Sequence, residues 1–359
     1  MGERKYLRLG YSRFVIPKQR VNMTDVATRS GVSIATVSRA LRGEPGVSSQ
    51  TRDRILRVAQ DLAYVVSPEA STLSRGSTGR VGVVVPTIDA WFYGAVLAGI
   101  AEVFEAYGLD LVLCTLPDSA ARHRFFETLP LRRKVDAVIV TAVPLTARER
   151  TRLGQLNVPL VLAGGDDDGT SPWVGIDDEL AARQAVGHLL HIGHRQIGMI
   201  HALDTEGIAW AADRARVRGF HSRLAEAGIE DPPVVSVKWS IYGGAQGIEA
   251  LLSKQAVPTA VFCHSDEIAV GAVRTLRRAG FAVPQDISVI GVDDHPVAEV
   301  ADLTTVGQPT REQGVIAAQQ LIRGLDPAAA VPEHSRATVL PTRLVIRGST
   351  SSPPAPAGP

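Results

Sequence analysis

Residues 23–64, MTDVATRSGVSIATVSRALRGEPGVSSQTRDRILRVAQDLAY, form three short helical stretches with no strand pattern between them. Gly31 is placed to end the first helix, because glycine tolerates the left-handed backbone of a sharp turn. Each helix follows a side chain that can accept backbone amide hydrogens, and apolar residues at helical spacing predict a small core of the helix-turn-helix kind. The expected caps are Asn22 or Thr24, Ser33 and Ser48, and the expected core residues are Val26, Ala27, Val32, Val37, Leu41, Ile55, Leu56, Ala59 and Leu62.

The second helix, which runs from Ser33 to about Leu41, leaves a face exposed that suits DNA. The major groove of B-DNA admits one helix whose N-terminal side chains reach the base edges. Arg39 can form two hydrogen bonds with a guanine, whereas Ile34 and Ala35 can only contact thymine methyls and the groove shape. A solvated basic face remains the alternative at this point. Polar groups at helix N-termini suit phosphates, and the expected phosphate contacts are Asn22, Ser33, Ser38, Ser48 and Thr51.

Charge is distributed unevenly along the 359 residues, although the net charge is only +1. Residues 1–80 hold 14 of the 38 Lys and Arg residues but only 6 of the 37 Asp and Glu residues. The rest of the chain therefore holds 24 basic and 31 acidic residues. A basic head on an acidic body indicates that the head meets a polyanion. The two cysteines lie in separate apolar runs, which excludes a disulfide scaffold and predicts a cytoplasmic protein. Without a signal peptide or a long apolar run, secretion and membrane spanning are disfavoured.

After residue 80 the sequence changes to apolar runs of strand length that alternate with amphipathic helical segments. Continuous apolar strands alternating with helices predict an α/β body with parallel sheets covered on both faces. The pattern alone allows either one barrel or two doubly wound lobes. The eight expected strands are residues 81–86, 109–114, 136–141, 159–164, 196–201, 234–239, 259–264 and 287–292.

Composition and pattern together divide the chain into five expected parts. The linker is small, polar and rich in helix breakers, and the last residues, STSSPPAPAGP, have the composition of a disordered tail. The expected parts are a basic N-terminal extension (1–20), an all-α helix-turn-helix head (21–66), a linker (67–79), the α/β body (80–348) and the disordered tail (349–359).

The body lacks the common enzyme motifs, so no catalytic residue, cofactor or metal is expected. No G-x-G-x-x-G follows a strand, and neither G-x-x-x-x-G-K-[ST], G-x-S-x-G nor H-E-x-x-H occurs. His188, His191 and His194 do not share a helix face, because Gly193 is expected to end the helix before the third histidine. The acidic turn at 164–169 is more typical of a solvated loop than of a cation site.

Residues 23–64 resemble, nearly residue for residue, the DNA-binding domain of the lactose-repressor/galactose-repressor (LacI/GalR) family of bacterial transcription regulators. In that family the second helix reads the major groove through the positions that match Ile34, Ala35 and Arg39. The resemblance implies a hinge helix in the linker that kinks DNA from the minor groove. Residues 64–71, YVVSPEAS, depart from the Tyr-x-Pro-Asn that often follows the third helix in the family. The hinge residues expected to enter the minor groove are Ala70 and Leu73.

The same resemblance covers the body, for example through residues 261–294. It implies the fold of periplasmic binding proteins, with a ligand cleft between two lobes, and so selects two lobes over a barrel. Arg216 matches an arginine that binds ligand hydroxyls or a ligand carboxylate in the family, and Asp293 matches an aspartate that accepts from ligand hydroxyls. Gly164 and Ser265 stand where some sugar-responsive members have aspartate and asparagine, so the particular sugar does not carry over. The expected effector-binding residues are Trp91, Phe92, Arg216, Trp239, Ser265 and Asp293.

These features predict a sequence-specific transcription regulator that acts in the cytoplasm on nucleoid DNA. It is expected to be a homodimeric repressor that a small-molecule effector, expected to be a sugar, releases from a pseudopalindromic operator. One alternative is a corepressor-dependent regulator that senses a nucleobase or a partner protein. Two further alternatives are a transporter's solute-binding protein, for which the sequence shows no export signal, and a sugar enzyme, for which Asp293 alone offers no acid–base pair.

Overall fold

A computed structural model of the chain describes residues 21–64, 77–203, 211–254, 257–325 and 336–355. The chain divides into two compact units, of which the first ends at Thr78 and the second begins at Gly79. The extension 1–20 and the predicted hinge residues Ala70 and Leu73 lie outside the described residues. Among the residues described, no helix combines the length and the apolar character that crossing a membrane requires.

The head consists of α1 (Met23–Ser30), α2 (Ile34–Leu41) and α3 (Ser49–Asp61). The predicted caps at Asn22, Ser33 and Ser48 are confirmed, because each side chain accepts a hydrogen bond from a backbone amide of the first turn. Asn22 also forms a reciprocal pair with Asp25, whose carboxylate accepts from the Asn22 amide at 2.8 Å. Gly31 ends α1 with a φ of 68°, as predicted for a left-handed turn.

The core of the head follows the predicted pattern with one exception. Val26, Val37 and Ile55 are fully buried where the three helices meet. Leu56 was expected on the inner face of α3, and this prediction is wrong, because 45% of its surface is exposed. Ile55 and Ala59 are four residues apart and share the inner face, whereas Leu56 is turned about 100° away from Ile55.

The first lobe of the body is built on a parallel sheet with the order β11-β5-β4-β3-β1-β2 in the part of the chain described. Its strands are β1 (Arg80–Val85), β2 (Asp110–Thr115), β3 (Ala137–Thr141), β4 (Leu160–Ala163), β5 (Trp173–Ile176) and β11 (Ala337–Leu340). Its helices are α4 (Trp91–Ala106), α5 (Ser119–Thr128), α6 (Ala147–Gly154) and α12 (Thr310–Leu325).

The second lobe has the same architecture, with the strand order β12-β10-β9-β8-β6-β7 and only β12 antiparallel to its neighbour within the described chain. Its strands are β6 (Ile197–Leu203), β7 (Val234–Lys238), β8 (Ala260–Cys263), β9 (Ser288–Asp293), β10 (Thr304–Gly307) and β12 (Arg343–Val345). Its helices are α7 (Asp178–His191), α8 (Ala211–Ala225), α9 (Ile241–Leu252), α10 (Asp266–Arg278) and α11 (Pro296–Val300).

The two doubly wound lobes are therefore confirmed, and all eight predicted strands are present within one or two residues. The sequence did not predict β5, β10, β11 or β12. All four of these strands flank places where the chain passes from one lobe to the other, at residues 176–178, 307–310 and 340–343. Because ligands of open parallel sheets bind beyond the carboxyl ends of the strands, these crossings lie beside the expected ligand site.

The expected disordered tail from residue 349 is wrong for the residues that the structure describes there. Ser349 is buried, donates to the Val289 carbonyl at 2.6 Å and accepts from the Thr304 amide at 2.8 Å. The Ser351 carbonyl accepts from His194 Nε2 at 2.9 Å. A segment rich in serine, threonine and proline is ordered here because β9 and β10 supply partners for its polar groups.

Candidate DNA-reading helix and ligand cleft

Helix α2 places the three residues predicted to read bases on one exposed face. Ile34 has 48% of its surface exposed, and Ala35 and Arg39 are also exposed. Arg39 Nε donates to the Ala35 carbonyl at 3.4 Å, a long contact that leaves most of the guanidinium donors available. The buried residues Val37 and Ala40 hold the opposite face of the helix against the head core.

Four of the five residues predicted to bind phosphate lie at helix N-termini, and Ser38 lies in the second turn of α2. Asn22, Ser33 and Ser48 are exposed and cap the three helices, whereas Ser38 and Thr51 are half-buried. Backbone amides at helix N-termini carry partial positive charge and bind anions well. The capping geometry therefore presents the kind of groups that fix a protein on the DNA backbone, although each cap oxygen is itself occupied.

An open cleft of about 1290 Å³ lies between the two lobes and is named here the outer cleft. Asp89, Arg122 and Asp166 line it from the first lobe, and Trp239 and Tyr242 line it from the second. Arg214 of the second lobe forms an exposed ion pair with Asp166 at 3.0 Å, which connects the two sides of the cleft.

A smaller cavity of about 30 Å³, named here the inner cavity, adjoins the outer cleft at Trp239. It contains three of the predicted effector residues besides Trp239, namely Phe92, Arg216 and Asp293. Arg216 is buried and forms an ion pair with Asp178 at 2.8 Å, while Asp293 lies 4.0 Å away. An arginine with two carboxylates offers both donors and acceptors to the hydroxyl groups of a ligand.

Asp293 is the most perturbed acid of the inner cavity. Burial raises its pKa to about 7, although the Arg216 guanidinium and the Gln308 amide both favour the ionised form. Gln308 Nε2 donates to Asp293 at 2.6 Å, and Gln313 Nε2 donates to Gln308 at 2.8 Å. This chain of hydrogen bonds connects α12 of the first lobe with β9 of the second.

Phe92 explains why glycine stands at position 164, where some sugar-responsive members of the family that the sequence resembles have aspartate. A Cβ atom at Gly164 would lie 3.2 Å from the Phe92 ring, and Gly164 has a φ of +67°. An aspartate at this position would therefore be strained and crowded by the ring. The tip of the Phe92 ring occupies the space that a side chain at this position would enter.

Ser265 and Trp91 lie outside the linings of both cavities. Ser265 is fully buried and caps α10 by accepting from the Ile268 amide at 3.4 Å. The Trp91 ring packs against the His295 ring at 4.7 Å between centroids, so it joins the two lobes. The structure thus gives Ser265 a role in helix capping and gives Trp91 a role in lobe contact.

Sequence reasoning missed several residues of the site. Asp178 pairs with Arg216, His264 lines the inner cavity, and Glu267 accepts hydrogen bonds from both lobes. The Trp91 backbone amide donates to Glu267 at 3.3 Å, and Trp239 Nε1 donates to it at 2.7 Å. A signal for Asp178 was present, because only Asp177 separates it from the short apolar run that forms β5.

A head that presents a reading helix, together with a two-lobed body that encloses a polar cavity, defines a class of protein. Its members are DNA-binding regulators whose body is built to hold a small molecule.

The comparisons with known proteins agree with this class. Residues 22–67 match the model of the bacterial regulatory proteins of the lacI family, and residues 186–350 match a periplasmic binding protein-like domain. The HTH-type transcriptional regulator reg1 of Streptomyces lividans is 34% identical and covers 94% of this chain and 98% of its own length.

Two solved structures extend the likeness to the fold. The lac repressor dimer bound to operator and the anti-inducer ONPF has a TM-score of 0.78 and 26% identity, over 93% of this chain and 100% of its own. A complex of the transcriptional regulator CelR with cellobiose has a TM-score of 0.68 and 29% identity, over 92% of this chain and 100% of its own. The protein belongs to the LacI family of bacterial regulatory proteins and is a DNA-binding transcriptional regulator.

Proposed function

We propose that the protein is a homodimeric repressor that binds a pseudopalindromic operator and is released from it by a sugar. The observation that carries the proposal is the exposed face of α2, where Arg39 stands beside the apolar Ile34 and Ala35. One helix of this kind reads one half-site, and two heads in a dimer read two half-sites related by two-fold symmetry.

The inner cavity supports a hydroxylated effector. Arg216, Asp178 and Asp293 present donors and acceptors side by side, and Phe92 and Trp239 offer aromatic faces. A sugar has hydroxyl pairs at its edge and CH groups on its faces, so it matches both kinds of surface. The solved CelR complex contains cellobiose, which supports a carbohydrate for this chain as well.

In this proposal the effector releases the DNA because the empty cleft and the filled cleft favour different arrangements of the two lobes. An effector shifts the equilibrium between two arrangements only by its difference in affinity for them. In the proposal, ligand closure changes the position at which the two hinges, with Ala70 and Leu73, meet the minor groove. The proposal assigns no catalytic step to the cleft and places the protein in the cytoplasm, where its DNA lies.

The test is a selection of bound fragments from a random DNA pool with the purified full-length protein. We expect a pseudopalindrome with two equal half-sites, because a symmetric dimer presents two identical reading helices. A sugar that the protein binds, added to the complex of the protein with the selected operator, should release the DNA. Bound fragments without a shared sequence contradict operator recognition, and tighter operator binding with sugar contradicts induction and indicates a corepressor instead.

A further inference from the structure

The His264 side chain is the one member of the inner cavity with an unmet hydrogen-bonding atom among the residues described. It is fully buried, and its Nε2 has no hydrogen-bond partner. More than nine in ten buried polar groups in proteins have a partner, so a buried nitrogen without one needs an explanation. A ligand group that enters the cavity would supply the partner.

The neighbours of His264 determine which nitrogen carries the proton. Nδ1 lies 2.9 Å from Asp213 Oδ1, at an angle too poor for a linear hydrogen bond. A carboxylate at this distance still requires the hydrogen on Nδ1, because two lone pairs would repel each other. Burial, and after it the Arg216 guanidinium, lowers the pKa of His264, so the ring is neutral. In that form Nε2 is an acceptor.

Asp213 is held in place from its other side. His201 Nδ1 donates to Asp213 Oδ2 at 2.8 Å, and the Ala202 amide donates to Oδ1 at 2.8 Å. His201 Nε2 in turn contacts the Ser236 hydroxyl at 2.6 Å. Asp213 is not part of the cavity lining, whereas His264 is, and Nε2 is the ring nitrogen that does not face Asp213.

The size and charge of the inner cavity limit the group that can enter. A volume of about 30 Å³ holds little more than one small polar group, since a water molecule needs about 10–15 Å³ on this measure. Arg216 is already paired with Asp178 and lies near Asp293. Carboxylates thus match or outnumber cations around the cavity, which disfavours a phosphate or a carboxylate on the ligand.

We propose that His264 Nε2 accepts a hydrogen bond from one hydroxyl group of an uncharged sugar, which makes His264 a residue that determines effector specificity. This inference rests on the proposed function, because it requires the inner cavity to hold the effector. It names a hydroxyl rather than an acidic group as the part of the ligand that enters deepest. The rest of the sugar lies in the outer cleft, beyond Trp239.

The experiment is isothermal titration calorimetry of the full-length protein with D-glucose, D-ribose, maltose and cellobiose. The sugar that binds is then compared with its monodeoxy derivatives. We expect removal of one particular hydroxyl to weaken binding to the wild type about tenfold, because it leaves a buried acceptor unpaired. In His264→Ala the same deoxy derivative should bind as well as the parent sugar.

Two controls separate ligand contact from folding. His264→Gln keeps an acceptor in the cavity, and we expect it to retain part of the discrimination against the deoxy derivative. His123→Ala removes a histidine of the first lobe whose side chain is 70% exposed, and its sugar affinity should equal that of the wild type.

Each outcome has one meaning. If the wild type binds none of the four sugars, the sugar effector is wrong and this inference falls with it. If a sugar binds but no monodeoxy derivative binds the wild type about tenfold more weakly, the proposed role of His264 is wrong and the proposed function stands. That role is also wrong if the wild type and His264→Ala discriminate equally.

Discussion

At the scale of single residues, Arg39 is the residue that we propose to read a base from the head. Its guanidinium is exposed on α2, and among the residues described its hydrogen bond is a long one to the Ala35 carbonyl at 3.4 Å. We expect Arg39→Ala to weaken operator binding by about 1–3 kcal/mol and to relax selection at one guanine in each half-site. Sequencing of DNA fragments selected by the variant measures both effects.

A matched control for this prediction is Arg57→Ala. Arg57 is also exposed and also donates Nε to the carbonyl four residues earlier, but it lies on α3. Its removal should leave the selected sequence unchanged. A selected sequence for Arg39→Ala identical to that of the wild type would remove Arg39 from base reading.

Asp293 predicts a pH dependence of stability. Burial raises its pKa from 3.8 to about 7, so the folded protein retains this proton while the unfolded chain has already lost it. Stability from this group is present below about pH 4 and is lost as the pH rises to about 7. The asparagine in Asp293→Asn does not ionise, so the variant does not lose this stability as the pH rises. Its free energy of unfolding minus that of the wild type should therefore increase between pH 4 and 7, by up to about 4 kcal/mol.

Urea unfolding of both proteins at pH 4, 5, 6, 7 and 8 measures this difference. The difference should level off above about pH 8, because Asp293 is then ionised in both states. Asp110→Asn changes an exposed residue on β2, and its free energy of unfolding should depend on pH in the same way as that of the wild type. A difference between Asp293→Asn and the wild type that does not change with pH would contradict the buried, protonated Asp293.

The sequence predicted part of the site because some of its residues belong to recognisable motifs. Arg216 and Asp293 came from the family resemblance, and the structure brings them within 4.0 Å of each other. His264 could not be predicted, because its role depends on Asp213, which is 51 positions away in the sequence and meets it only in the folded lobe. Ser265 lies outside the linings of both cavities, and helix capping, a local interaction, occupies its hydroxyl.

At the scale of elements, the predicted strands are those with long apolar runs. The missed strands β5, β10, β11 and β12 have three or four residues each. Runs this short have no clear periodicity, and pairing with distant parts of the chain makes them strands. For example, β11 pairs with β5 although more than 150 residues separate them.

The C-terminal segment shows the same dependence on distant partners and gives a third prediction. Ser349 connects β9 and β10 through its hydroxyl, which accepts from the Thr304 amide and donates to the Val289 carbonyl. Ser349→Ala leaves a buried amide without its partner, so we expect a loss of about 1–3 kcal/mol in the free energy of unfolding. Urea denaturation measures it.

Ser352→Ala is the matched control, since Ser352 is exposed in the same segment. It should change the free energy of unfolding by less than about 0.5 kcal/mol. Equal stability of Ser349→Ala and Ser352→Ala would show that the segment does not support the second lobe.

At the scale of the whole body, regulation requires that the two lobes exchange between arrangements, and Glu267 connects them directly. Helix α4 of the first lobe begins after Ala90, which provides no side-chain cap. Glu267 of the second lobe accepts from the Trp91 amide in the first turn of that helix, so one lobe caps a helix of the other. This contact can exist only while the lobes are close together.

We expect Glu267→Ala to favour separation of the lobes, because the N-terminus of α4 loses its acceptor and Trp239 Nε1 loses its partner. A missing cap costs about 1 kcal/mol, so amides in residues 91–95 should exchange with solvent about fivefold faster. Hydrogen exchange measured by mass spectrometry on the full-length protein reports this segment and residues 239–243 of the second lobe together. Faster exchange in residues 91–95 reports loss of the cap between the lobes, and faster exchange in residues 239–243 reports loss of the partner of Trp239.

Two further variants serve as controls. Glu267→Gln keeps one acceptor and should lie between the wild type and Glu267→Ala. Glu102→Ala removes an exposed ion pair with Arg311 inside the first lobe and should leave both segments unchanged. If exchange in residues 91–95 is the same in Glu267→Ala and the wild type, the carboxylate does not hold the lobes together, and lobe contact would depend on the Trp91–His295 packing.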